Sequence, residues 1–94
     1  MVGLGKPIQK VITRGVQALG LPIDVLNQFF RKANSFLPKH EFLVFDPKGS
    51  QVMIGDGDGK KLDTIQMTLP EKVWVKTDDY GDRLVITALL PREY

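Results

Sequence analysis

The chain reads as an α+β domain: two N-terminal amphipathic helices packed on a four- to five-stranded antiparallel β-meander. Three observations predict this. Up to Leu37 apolar residues recur every three or four positions, the period of a helix face. After His40 the period falls to two, that of a half-buried strand. Glycine, proline and aspartate then arrive at short intervals, as the turns of a meander require. With 94 residues there is room for one domain, 1–94, made of a helical segment, 1–40, and a β-meander, 41–94.

Lys6-Pro7 opens the first helical pattern, proline being suited to a first turn where its missing N–H is not needed. Ile8, Val11, Ile12, Val16 and Leu19 project onto one side of that helix, with Lys6, Lys10, Thr13, Arg14 and Gln17 opposite. Gly20 is the expected stop, and Leu21-Pro22 restarts the chain. The second pattern is Pro22, Leu26, Phe29, Phe30, Ala33 and Leu37, opposed by Asp24, Gln28, Arg31, Lys32 and Ser35; Pro38 ends it. The two helices form either a kinked rod or a hairpin. Strands are expected over residues 41–45, 51–54, 64–69, 72–77 and 83–90, joined by turns that each hold glycine, proline or aspartate. One face of this sheet is wet and the helices cover the other.

Charge divides the chain at the same place. Residues 1–40 hold six basic residues against Asp24 alone, a net +5, and residues 41–94 hold seven against ten acids, a net −3. Hydrophobic content of 43% with 26% charged residues excludes a disordered chain, and no apolar run reaches the ~20 residues of a membrane span. The absence of cysteine excludes disulfides and thiolate chemistry. The first 23 residues lack acids, as transit peptides do, but are poor in serine and arginine, so Met1 is expected to belong to the folded unit of a soluble protein without a signal peptide.

Chemistry is sparse. One histidine, His40, and two serines, Ser35 and Ser50, show no nucleophile pattern, and the carboxylates sit in turns, so no enzyme and no small-molecule substrate are expected. Gly55-Asp56-Gly57-Asp58-Gly59 brings two aspartates together, but an EF-hand loop would need an oxygen donor at Lys60 and a glutamate at Met67. No metal is therefore assigned. Phosphate-binding glycine motifs are absent, and no cofactor is expected. The candidate partner-binding residues are Trp74, whose neighbours Val73 and Val75 claim the other strand face, Phe29 and Phe30, which point about 100° apart on a helix, and Lys6, Lys10 and Arg14. The reading of function is a non-enzymatic structural or interaction module, a self-associating component of a larger assembly such as a virion or another multiprotein machine. Its partners would be copies of itself or other protein subunits, with acidic turns meeting basic helices. The alternative is an accessory protein that binds nucleic acid or an anionic membrane surface through Lys6, Lys10 and Arg14 on the first helix.

Overall fold

A computed structural model describes residues 6–94. The expectation of order from Met1 falls on residues outside that span. The first helix is not there. Residues Ile8–Ile12 form a strand, β1, followed by a five-residue helix, α1 (Arg14–Ala18), and one longer helix, α2 (Ile23–Ser35). Five more strands follow: β2 (Phe42–Lys48), β3 (Gln51–Gly55), β4 (Lys61–Gln66), β5 (Val73–Asp79) and β6 (Leu84–Leu89). All six join one mixed sheet in the order β1-β6-β5-β2-β3-β4. The architecture is therefore a six-stranded mixed sheet with one substantial helix, and the expectation of two N-terminal helices on an antiparallel meander is overturned.

The error at residues 8–12 has a physical cause. Apolar residues at 8, 11 and 12 follow the helical spacing, but over so short a run the residues themselves weigh more: Ile8, Val11, Ile12 and Thr13 are β-branched and favour a pleated backbone. What settles it is a partner far along the chain. β1 lies parallel to β6, with Ile8 opposite Leu84 and Ile12 opposite Ala88. Helix only resumes when Thr13 caps α1, its hydroxyl accepting from the Val16 N–H at 3.4 Å.

The second correction concerns connectivity. β2, β3 and β4 are consecutive antiparallel neighbours, but β5 pairs with β2 rather than with β4. Residues 67–72 therefore cross the end of two strands, and Met67 and Leu69 fill that end of the core. β6 then pairs antiparallel to β5 and closes onto β1. Following the directions across the sheet, β1 and β2 run the same way, so α1 and α2 form their crossover. The β5–β6 hairpin fills the two places the crossover leaves open.

One face of the sheet is covered. Leu43, Phe45, Val52, Ile54, Val73, Val75, Ile86 and Ala88 point toward α2, which sets Phe29, Phe30 and Ala33 on them. The Phe29 and Phe45 rings meet edge to face at 5.0 Å, and both are fully buried. The two chain ends are tied together. The Glu93 carboxylate accepts from the Thr13 hydroxyl at 2.5 Å, the Gly15 N–H at 2.9 Å and the Leu90 N–H at 2.8 Å, so the C-terminal turn (Pro91–Glu93) caps the crossover helix. Lys6 holds Asp79 at 2.7 Å beside β1, and Lys32 of α2 reaches Asp63 of β4 at 2.8 Å.

These contacts set the response to acid. The Thr13 hydroxyl, before the backbone donors, holds the Glu93 carboxyl below its ordinary 4.5. Lys32 holds Asp63, and Lys6 holds Asp79, below the ordinary 3.8. A carboxyl whose value is depressed on folding contributes stability above its unfolded value and loses it as pH falls through the folded one. The urea midpoint should therefore drop as pH is lowered from neutrality through and below these ordinary carboxylate values. Glu93→Gln should lower the midpoint at neutral pH and shrink that drop. In the core, Phe29→Ala should cost about 3–5 kcal/mol in the same denaturation measurement.

Candidate functional site

The uncovered face of the sheet carries a different set of side chains. Register places Leu89, Trp74, Val44, Gly55 and Lys61 in one row across β6, β5, β2, β3 and β4. Asp46 and Met53 form the next row. Val73 and Val75 do turn into the core, so Trp74 lies on the open face, half-buried. Phe42 meets the indole edge to face at 5.3 Å, and Tyr94 meets it from the C-terminus at 5.6 Å. Tyr94 itself is 80% exposed, which makes the open end of this aromatic trio a surface feature.

A loop roofs the other end. β3 and β4 slip register between Ile54 and Gly55, a bulge that bends the strands, and residues 56–60 fold back over the sheet. A Cβ on Gly57 would stand 2.9 Å from the Phe42 ring, so only glycine allows this approach, and its φ of +88° also asks for glycine. Asp56 builds the loop from within. Its carboxylate accepts from the Asp58 N–H at 2.8 Å and the Lys60 N–H at 3.1 Å, and the Asp58 donor, followed by the Lys60 donor, holds it below its ordinary value. This carboxylate is thus committed to backbone, which is why the aspartate pair reads as a turn.

Between loop and indole lies a groove of about 400 Å³. Val44, Met53, Gly55 and Trp74 are among the residues that line it, with Lys60, Lys61 and Lys72 around them. The ion pairs of the fold give these lysines a meaning. Lys6, Lys32, Lys48 and Lys76 each hold a carboxylate within 4 Å, whereas among the described residues Lys60, Lys61 and Lys72 hold none. Asp46 is the one acid lining the groove, and Lys48 faces it at 3.5 Å. The arrangement offers a flat aromatic surface, a small apolar floor and three cations without internal partners.

The other candidate residues do not gather. Phe29 and Phe30 are core, 0% and 7% exposed, and lie on the helix side of the sheet, away from Trp74. Lys6, Lys10 and Arg14 do not share a helix face: Lys6 is paired with Asp79, Lys10 sits on strand β1, and Arg14 begins α1. Lys10 instead lines a second hollow of about 350 Å³ with Ile8, Asn27, Phe30, Arg31 and Asn34, on the helix side of the sheet. His40 lies edge-on to Phe36 at 6.1 Å, in the turn between α2 and β2. Phe42, Tyr94 and the three groove lysines are the residues that sequence reasoning missed. The β3–β4 hairpin register, with Lys61 opposite Gly55, is the signal for Lys61, whereas the pairing that sets Val44 beside Trp74 joins strands remote in sequence; nothing local announces Tyr94.

No family model, curated protein or solved structure matches this chain. Among the described residues no helix is long and apolar enough to cross a membrane. Gly57 tests the described geometry directly. Gly57→Ala should cost about 1–3 kcal/mol through backbone strain and the Phe42 contact, and should shift Trp74 emission by displacing the ring that abuts the indole.

Proposed function

We propose that this chain is a non-enzymatic interaction module that holds its partner on the open face of the sheet, around Trp74. The observation that carries the reading is the convergence, on one uncovered face, of an aromatic trio and three lysines that no internal carboxylate neutralises. Large aromatic side chains beside cations are the groups that contribute most to recognition surfaces. Catalysis finds less support. The carboxyls with perturbed acidity, Asp56, Asp63, Asp79 and Glu93, are all shifted downward by donors that hold them ionised. A general acid or base working near neutrality needs the opposite shift.

The edges of the sheet favour face-on recognition over strand addition. β1 and β4 are the two edge strands, and each carries a charged residue on the helix side, Lys10 opposite Ile86 and Asp63 opposite Ile54. Inward-pointing charges on edge strands oppose pairing with another sheet. A copy of this chain that joined such an assembly would therefore dock on the face, where its charge meets the lysines, rather than extend the sheet.

Amide chemical shifts test the reading. The folded chain is titrated with poly-glutamate and with a single-stranded oligonucleotide at low salt, and is separately diluted alone. Shifts gathered on Val44, Met53, Gly57, Trp74 and Tyr94 in any arm are the expected result. Shifts confined to Lys10, Arg31 and Asn34 on the helix side, or none in any arm, would overturn it.

A further inference from the structure

Resting on that reading, we infer that the groove beside Trp74 takes single-stranded nucleic acid, one base lying against the indole while neighbouring phosphates meet Lys60, Lys61 and Lys72. Lys60, Lys61 and Lys72, like Lys10 and Lys39 elsewhere, hold no carboxylate among the described residues, and these three line one groove beside an indole. Their occupant is anionic. It is also flat, because the groove sets cations around an indole above Val44 and Met53, and charge alone would not need the ring.

The aromatic surface continues along the face. Lys60, Lys61 and Lys72 line the groove with Trp74, and exposed Tyr94, 5.6 Å from the indole, extends the stacking platform beyond it. Lys76, 5.9 Å from the Tyr94 ring centre, is paired with Asp78, so the cations without carboxylates stand at the indole. Proteins that bind single strands combine aromatic platforms with a positive groove in this way. A duplex keeps its bases stacked and could use only the lysines. An acidic peptide would meet the same cations but does not supply a ring with every charge.

Trp74 is the single tryptophan of the chain, so its fluorescence reports the groove without a label. The full chain is titrated with short oligothymidylate, with a duplex of the same length, with inorganic triphosphate and with poly-glutamate. Expected is saturable quenching by oligothymidylate, at an affinity at least tenfold above the other three. Binding should weaken with salt at a log–log slope near −2, the value about three phosphate contacts give on a single strand. Replacing Lys60, Lys61 and Lys72 by glutamine should leave the circular dichroism unchanged, remove most of that slope and weaken binding tenfold or more. Trp74→Ala, followed by anisotropy of a labelled strand, should weaken binding about ten- to a hundredfold while leaving the slope in place. Equal affinity for duplex or triphosphate would overturn the inference, since charge would then suffice. Preference for poly-glutamate, or quenching that depends on the chain's own concentration, would overturn it in favour of an acidic protein or a second copy. Those two results leave the open face as the recognition surface; failure of every ligand to reach that face removes both.

Discussion

The β5–β6 hairpin is the constraint on which this fold depends. It fills the two positions that the crossover from β1 to β2 leaves open, so the sheet is continuous only when the last strands of the chain enter it. Val73, Val75, Ile86 and Ala88 then stand under α2 and complete the floor of the core. Without that hairpin β1 has no hydrogen-bonding neighbour and β2 has only β3. The contacts that fasten the chain ends serve the same closure. Glu93 caps α1 directly after β1, and Lys6 holds Asp79 at the end of β5. A fold closed by such distant pairing brings its ends together late, since contacts between remote segments carry the larger loop-closure cost.

The same closure explains what the sequence could and could not disclose. α2 was legible because thirteen residues with a single apolar stripe leave one solution, and the structure buries Phe29, Phe30 and Ala33 on that stripe. The segment 8–12 was not, because five residues carry too little periodicity and their conformation is fixed by β6, more than seventy positions away. Turn chemistry could locate Gly20 as the end of α1, where φ is +66°. It could not say that the strand after Gln66 would cross two neighbours before pairing. Local pattern identifies elements that are long or self-sufficient, and leaves the rest to partners.

The site followed the same division. Alternation within β5 was enough to separate Trp74 from Val73 and Val75, although it could not decide which side was wet. Covering one face with α2 decides it. The basic stripe of Lys6, Lys10 and Arg14 was a property of a helix that does not form, and those cations disperse to an ion pair, a strand and a short helix. The cations that line the groove come from the acidic half of the chain, Lys60, Lys61 and Lys72, so net charge by segment did not locate them. Summed charge ignores which groups are already paired, and pairing depends on register.

The open face is best understood as the cost of a small domain that covers only one side of its sheet. Among the described residues α2 is the one helix long enough to span strands, and it is used on the core side. On the other side the chain covers what it can with short segments. The glycine loop lies on Phe42, and Tyr94 leans on Trp74. The loop stops short of the indole, and the gap between loop and indole is the groove. A Cβ at position 57 would disturb the loop's seat on Phe42, and three cations face the gap instead of an apolar cover. A surface needed only for stability would be served by more apolar contact and by paired charges. Lysines held beside a partly covered tryptophan give little to stability, since unpaired exposed charges contribute almost nothing to it. Their placement is what the proposed recognition of an anionic partner requires.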